Sequence, residues 1–462
     1  MAAPSPSDTA ALVWFRRDLR DADHAALHAA LAAHARVHCV FVFDTEILDG
    51  IRPRSNRRVT FLWECVRALR DSLEARGGGL HVPHGRATEV IPALASRLGV
   101  AAVYANRDYE PAALARDRQV AEALARHGID LRTRKDQVIF ELDEIRTQGG
   151  TPYSVFTPYK RAWLAKLEPR HVAPQSIDPR PGQLQAVDDP LPALEALGFA
   201  RADPGLPAGT QGARELWSAF SGRLADYARQ RDYPAQPGTS RLSAHLRFGT
   251  VSIRALVKTA HARRNPGAET WLSELIWREF YFAVLAARPD VVERSFRPEF
   301  DALDWETDER LFDAWREGRT GYPIVDAAMR ELMATGWMHN RLRMITASFL
   351  TKDLGIDWRV GARHFLEWLT DGDLANNNLN WQWTAGTGTD TNPHRIFNPT
   401  VQGQRFDPKG VYVRRYVEEL ADVPGGGAVH TLGPLERAAV GYPEPILDHH
   451  EAIAEYRARR GV

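Results

Sequence analysis

The sequence predicts a Rossmann-like parallel α/β domain at the N-terminus, a long connector and an all-α C-terminal domain. Three observations carry this. At 462 residues the chain is longer than one ordinary core supports. Short apolar runs alternate with helical stretches only as far as about residue 140. Beyond about residue 215 strand patterns nearly vanish and helical spacing prevails. The expected divisions are 9–140, 141–212 and 213–462.

In chain order, Ala11-Leu-Val-Trp-Phe15, Val37-His-Cys-Val-Phe-Val-Phe43, Leu80-His-Val82 and Val100-Ala-Ala-Val-Tyr104 read as strands. Residues 59–75 and 110–127 have helical spacing between them, and such alternation implies a parallel sheet with helices on both faces. Ligands of these sheets sit beyond the C-terminal strand ends, here after Phe15, Phe43 and Tyr104. A Pro-, Gly- and Asp-rich stretch at 168–212 has little periodicity and reads as an interdomain connection. No internal repeat is present.

Lys+Arg and Asp+Glu both number 59, which removes a global electrostatic footprint for nucleic acid and leaves room only for a local patch. Cys39 and Cys65 lack C-x-x-C spacing and read as core thiols of a reducing compartment. No apolar run reaches the roughly 20 residues that cross a bilayer, and residues 1–8 lack a secretory pattern. A soluble, cytoplasmic monomer without a membrane partner is expected.

The glycines at 77–79 precede a strand and read as a turn rather than a phosphate cradle. His24 and His28, and His34 and His38, are spaced i,i+4 but lack a third ligand. They read as exposed helix histidines, and no metal is expected. There is no G-x-S-x-G elbow. In Gly238-Thr-Ser-Arg-Leu-Ser243 three hydroxyls and an arginine stand where a helix begins, which fits a diphosphate site and a plain cap equally well.

Trp271, Glu274, Trp277 and Arg278 fall at spacings of three and four on one helix face. Two indoles, a carboxylate and a guanidinium together look like a pocket wall that stacks planar groups. The segments 337–344 and 371–383 mix tryptophan, arginine, asparagine and acid more densely than a core needs. Such a mixture suits a buried, charged cofactor with a π-system. Arg341, Arg343, Arg395, Arg405 and Lys409, with Trp383, are candidates for a phosphate-contacting patch, although solvated surface charge is the usual explanation of such scatter.

These strings, together with Trp14-Phe-Arg-Arg-Asp-Leu-Arg20, Val155-Phe-Thr-Pro-Tyr-Lys160, Thr320-Gly-Tyr-Pro-Ile-Val-Asp-Ala-Ala-Met329 and Ile396-Phe-Asn-Pro399, resemble the photolyase/cryptochrome family nearly end to end. Within it they resemble the bacterial class I cyclobutane pyrimidine dimer photolyases. The resemblance implies FAD held in the helical domain by Tyr227, Thr239, Ser240, Arg241, Leu242, Ser243, Trp271, Arg278, Asn340, Arg343, Asp371, Gly372, Asp373 and Asn377. Arg343 and Asp371 would pair over the isoalloxazine edge, and the uncharged amide of Asn377 would favour the reduced, anionic flavin.

The implied activity is light-driven repair of UV-damaged DNA, with the cofactor supplying the electron and the protein the orientation. Glu274 would hydrogen-bond the dimer, and Trp381, Trp358 and Trp305 would carry electrons to the flavin. Arg231, Trp277, Asn340, Arg341, Met344, Trp383 and Gln402 would contact DNA or the lesion. Relatives that repair (6-4) photoproducts carry two histidines where this chain has Asn340 and Met344, so cyclobutane dimers are the expected substrate. Tyr109-Glu110 is followed by Pro111-Ala112-Ala113, without the polar partners of a methenyltetrahydrofolate antenna. A deazaflavin, a flavin or no antenna becomes comparably expected. The alternative is a cryptochrome-like blue-light photoreceptor that binds FAD without repair.

Overall fold

The computed structural model describes residues 7–461, and its contacts form two compact units. Residues 1–6, part of the stretch without a secretory pattern, lie outside the described residues. Unit 1 takes in the described part of Met1–Tyr153 with Pro158–Gly222 and Ser240–Pro289; unit 2 takes in Ser154–Thr157, Arg223–Thr239 and the described part of Asp290–Val462.

Unit 1 is built on four parallel strands, β1 (Ser7–Phe15), β2 (His34–Phe41), β3 (Ala102–Asn106) and β4 (Asp130–Arg134), in the order β2-β1-β3-β4. Because successive side chains leave opposite faces of a strand, two separate cores form. Ala11, Val13, Phe15, Cys39, Phe41 and Tyr104 pack with helices α1 (Ala25–Ala33) and α2 (Arg57–Glu74). Leu12, Trp14, Val40, Val103 and Ala105 pack with α3 (Ala87–Arg97) and α4 (Pro111–Ala125). Burial on both faces is why these strands read as continuous apolar runs.

The strand expected at 80–82 shrinks to one bridge, Val40 to His81. Strand β4 escaped the sequence because it is an edge: Asp-Leu-Arg-Thr-Arg alternates exposed and half-buried positions, and its charges discourage pairing with another chain. The connector is not featureless, since α5 (Phe156–Lys166) lies inside it and α6 (Gly209–Ser221) begins before its expected end. Both cysteines are buried thiols, and burial pushes each up to about 12.

The four histidines are not exposed helix residues. His24 caps α1 with a fully buried ring whose Nε2 lies 3.0 Å from Asp18. His34 and His38 lie in β2, and His34 bonds Thr9 Oγ1 at 2.7 Å and Tyr104 OH at 3.1 Å. His28, half-buried in α1, bonds the Ser176 carbonyl at 2.7 Å. Satisfied polar tips let His24 and His34 be buried, which spacing alone does not reveal.

Helices α7 (Ser243–Phe248), α8 (Ile253–Ala262) and α9 (Pro266–Ala287) belong to the same unit as the sheet. Leu19 N–H donates to the Phe248 carbonyl at 2.9 Å, and Gly249, at φ +64°, passes so near β1's exit that a Cβ would stand 2.1 Å from the Arg17 carbonyl oxygen. Arg254 of α8 bonds Asp23 and Asp136. On α9, the buried Glu279 carboxylate accepts from Ile139 N–H at 2.6 Å, Phe140 N–H at 2.9 Å and Trp163 Nε1 at 2.6 Å.

Unit 2 packs α10 (Pro323–Thr335), α11 (Asn340–Ser348), α12 (Trp358–Trp368) and α13 (Leu374–Ala385) around a core with Trp315, Met329, Phe349, Trp358 and Trp381. A π-helical turn, Phe349–Asp353, follows α11. Helices α14 (Pro399–Phe406) and α15 (His449–Arg460) come later in the chain. Among the described residues no helix is long and apolar enough to cross a membrane.

Burial pushes the Glu279 carboxyl up to about 7 even though its three donors pull the other way. A folded-state value above the unfolded one means that the native form keeps a proton which the unfolded chain has released. Stability therefore falls by about 1.4 kcal/mol per pH unit from the ordinary carboxylate range up to about pH 7, and flattens above it. Denaturant unfolding of wild type and Glu279→Gln between pH 5 and 8 checks this. Their stabilities should converge or cross with that slope, whereas parallel pH profiles would mean that Glu279 ionises at its ordinary value.

Candidate functional site

In unit 1, helix α9 is largely buried, yet Glu274, Trp277 and Arg278 remain half-buried along one side. Trp271 instead packs into the core, with ring centroids 5.1 Å from Trp217 and 5.6 Å from Phe220 of α6. Arg278 Nη1 donates to the Gln137 carbonyl at 2.6 Å, and its guanidinium lies 4.7 Å from the Phe282 ring centroid. The side chains around Glu274 are thus anchored rather than free to swing.

The hydroxyl-rich segment begins a helix where the sequence indicated. Helix α7 starts at Ser243, its cap residue is Leu242, and no side chain caps it. Arg241 just before it sits at φ +55°, a left-handed conformation uncommon for a residue with a Cβ. Ser240 Oγ accepts from Leu242 N–H at 3.4 Å, and Ser243 is exposed.

In unit 2, Arg343 and Asp371 form the anticipated ion pair, Nη2 to Oδ2 at 2.8 Å, with Arg343 Nε held by the Met338 carbonyl at 2.8 Å. Asp371 is buried, and its other oxygen, Oδ1, has no hydrogen-bond partner. A buried carboxylate oxygen left this way calls for a donor from elsewhere. A flavin N–H or a ribityl hydroxyl is of that chemistry, so the residues fit FAD. Asn377, half-buried on α13, donates to the Ala362 carbonyl at 2.9 Å. Asp373 accepts from Asn376 N–H at 3.0 Å as the α13 cap, beside the buried Gly372.

Helix α12 gathers three tryptophans that are far apart in sequence. Trp358 is its first residue and is fully buried. Trp305 is brought near by a bridge between Glu306 and Ile356, with Glu306 N–H on the Gly355 carbonyl at 2.8 Å. Trp381 lies against α12 one turn on from Trp358, where Gly361 leaves room: a Cβ there would stand 2.2 Å from Trp381 Cη2. Trp315, not singled out by the sequence, also touches Trp381, at 6.1 Å between centroids.

A basic and aromatic group occupies another part of unit 2. Arg341 donates to Asp232 Oδ1 at 2.8 Å and lies 4.4 Å from the Phe406 ring centroid. Arg231 lies 5.4 Å from that of the buried Tyr227, with Nε 4.0 Å from Asp232. Asp232 thus couples two arginines, a role that adjacency to Arg231 alone did not disclose. Gln402 on α14 has a buried Oε1 without a partner. Arg395 stands 5.2 Å from the ring centroid of the half-buried Trp383. Thr239 is half-buried, whereas Asn340 is exposed, with Nδ2 3.9 Å from Met344 Sδ.

His339 caps α11, accepting from Arg341 N–H at 3.1 Å, and burial pushes it down to about 4. At the strand ends of unit 1, Trp14 lies between the guanidinium groups of Arg16 and Arg116, at 4.7 and 5.2 Å. Tyr109 OH donates to Glu141 at 2.9 Å and Arg17 donates to Glu110 at 2.6 Å, so both residues of the Tyr-Glu pair are engaged within the unit.

Residues 271–460 match a family model described as the FAD binding domain of DNA photolyase, and residues 11–180 one described as DNA photolyase. The chain is 43% identical over 465 residues to a deoxyribodipyrimidine photo-lyase of Streptomyces griseus, covering 98% of this chain and 99% of that one. Among solved structures, a bacterial class III photolyase from Agrobacterium tumefaciens superimposes with a TM-score of 0.89 at 36% identity, over 99% of this chain and 98% of that one. A cryptochrome from Synechocystis does so with a TM-score of 0.84 at 29% identity, over 99% and 100%.

The contact at Gly361 makes a test of the tryptophan arrangement. Gly→Ala inside a helix ordinarily gains up to about 1 kcal/mol, but overpacking a filled core costs about 1–3 kcal/mol. With Trp381 in the way the second effect should win. Gly361→Ala is expected to lose about 1 kcal/mol or more in urea unfolding, with a shifted tryptophan emission; a gain in stability would mean that Trp381 does not lie there.

Proposed function

The chain belongs to the photolyase/cryptochrome family, and from that membership we propose that it repairs cyclobutane pyrimidine dimers in DNA, driven by light absorbed at reduced, anionic FAD. The observation that carries this reading is the polar and aromatic stripe of Glu274 and Trp277, left half-buried on an otherwise buried helix. A surface helix would expose charges all along that side, and a core helix would fill it with aliphatic groups. A stripe of this kind fits a flat, polar guest taken out of a base stack.

FAD, when bound, supplies the electron that opens the cyclobutane ring and takes it back. The protein's share is to bind, orient and neutralise. Arg343, paired with Asp371, holds positive charge for the anionic ring, and Asp371 Oδ1 accepts a hydrogen bond from the cofactor. The neutral amide of Asn377 adds no charge beside it. Tyr227, Thr239, Ser240, Arg241, Leu242, Ser243, Trp271, Arg278, Asn340, Gly372 and Asp373 are the remaining proposed FAD contacts. Glu274 hydrogen-bonds the dimer's base edge, and Trp277, Met344 and Trp383 pack its rings. Arg231, Arg341 and Gln402 meet the DNA backbone, which makes binding salt-sensitive.

Trp381, Trp358 and Trp305 relay electrons inward when the flavin is oxidised. The burial of Trp358 and the approach of Trp381 to α12 support a short-range path. The choice of cyclobutane dimers over (6-4) photoproducts is supported by Asn340 and Met344, neither of which can serve as the proton donor that an imidazole would supply at those positions. Ala112 and Ala113 stand where a folate antenna would need polar partners, which puts a deazaflavin, a flavin or no antenna on a level with folate. A cryptochrome-like photoreceptor without repair is the second reading, and the greater likeness to photolyases weighs against it.

Blue-light restoration of a thymine-dimer oligonucleotide by the purified, reduced protein separates the two. Repair in light and none in darkness is expected; bound flavin without repair would establish the second reading. Glu274→Ala should lower repair yield roughly ten- to hundredfold, the worth of one hydrogen bond to a charged group, with FAD content intact. An unchanged yield would remove Glu274 from the site.

A further inference from the structure

Lys352 is 1% exposed in the π-helical turn Phe349–Asp353, a costly place for an amine. Its Nζ donates to the carbonyls of Arg395 at 2.5 Å and Pro393 at 3.3 Å, and lies 5.5 Å from the Tyr456 ring centroid. These carbonyls belong to the loop that follows α13 and ends at Arg395, whose guanidinium covers Trp383. π-Turns carry an extra residue in the helix and occur mostly where a side chain must be aimed.

The C-terminal helix α15 braces the same loop. Arg460 Nη2 donates to the Ala385 carbonyl at 2.7 Å, where the loop begins, and Tyr456 OH reaches the Pro393 carbonyl at 3.4 Å. The other end of α15 is tied to the π-turn by His449 Nδ1 on the Asp353 carboxylate. The loop folds back on itself at Gly386, φ +75°, where a Cβ would stand 2.0 Å from the Pro393 oxygen. Arg297 holds its middle, through the carbonyls of Gly388 at 3.0 Å and Asp390 at 2.6 Å.

We propose that Lys352 and helix α15 form a strap that fixes the 386–395 loop with Arg395 over Trp383, making Lys352 a positioning residue for lesion recognition. The proposal rests on the reading of Trp383 as a wall of the lesion pocket. Arg395, held at its own carbonyl, keeps a cation over the indole and presents the opposite side of the loop to incoming DNA. Lys352, buried against the Arg395 and Pro393 carbonyls, acts through Arg395. Burial, with Arg460 facing it, pushes the amine down to about 7. The fold thus keeps a poorly solvated group where an aliphatic side chain would pack at lower cost.

The test uses the full-length, FAD-loaded protein with Lys352→Met, Arg395→Gln and the double variant. Hydrogen exchange across 386–395 should quicken in Lys352→Met, and affinity for dimer-containing oligonucleotide should fall roughly tenfold while FAD content and affinity for intact DNA hold. The double variant should bind no more weakly than Arg395→Gln alone. Unchanged exchange in the loop, or losses that multiply in the double variant, would overturn the strap. Should Lys352→Met not fold, Arg460→Met removes the brace at Ala385 and must quicken exchange in the same loop. If wild type itself shows no preference for dimer DNA, the proposed function fails, while exchange in the loop still decides the strap.

Discussion

A carboxylate taken out of water must be saturated with donors, and both units are organised around that requirement. In unit 1, Glu279 collects N–H groups from Ile139, Phe140 and Trp163, segments more than a hundred residues earlier in the chain. In unit 2, Asp326 collects the Thr320 N–H and hydroxyl, the Gly321 N–H and the Tyr442 hydroxyl. Asp407 likewise holds the Tyr412 and Val413 N–H groups at 3.0 Å each. Glu279 and Asp326 close long loops in this way, and Asp407 a short one, without spending apolar surface. Removing any one would leave several buried donors unpaired, each worth about 1–3 kcal/mol.

This division of labour frees the aromatic and basic side chains for the site. Glu279 anchors α9 one residue from Arg278, so Trp277 and Glu274 stand on a helix that cannot roll. Arg343 and Asp371 join α11 to the segment before α13, and Asn377 joins α13 to α12. Three helices of unit 2 therefore carry Asn340, Arg343 and Asn377 together with Trp358, Trp381 and Trp383. A cofactor that supplies the hard chemistry asks its protein for fixed orientation and little else. A site supported by side-chain bonds at this density meets that need.

Half-burial distinguishes the proposed lesion-facing tryptophans from those of the core, which residue type does not. Of the singled-out tryptophans, Trp271, Trp358 and Trp381 are buried, while Trp277, Trp305 and Trp383 remain half-buried. The proposed lesion contacts Trp277 and Trp383 are therefore in the accessible set, and Trp358 and Trp381 of the proposed electron path are in the sealed one. Periodicity does not separate these groups. The same limit explains the histidines, where i,i+4 spacing suggested an exposed helix but Asp18 draws the ring of His24 inside, and Thr9 and Tyr104, distant in sequence, draw in that of His34.

The sequence by itself determined the parallel sheet, because strands buried on both faces must be apolar throughout, and the helical remainder, because helical spacing there is uninterrupted. It also determined the Arg343–Asp371 pair, through motif strings matched at their own positions, and the side of α9 that carries Glu274, Trp277 and Arg278, through helical spacing. Only the tertiary structure decided the edge strand β4, whose polar residues carry no apolar signal. It alone decided the bridge between Glu306 and Ile356, the bridging of two arginines by Asp232, and the clasp of Lys352 on the 386–395 loop. These depend on backbone carbonyls and on partners brought from distant segments. No residue's own chemistry announces which carbonyl it will meet, because that is set by how the helices pack.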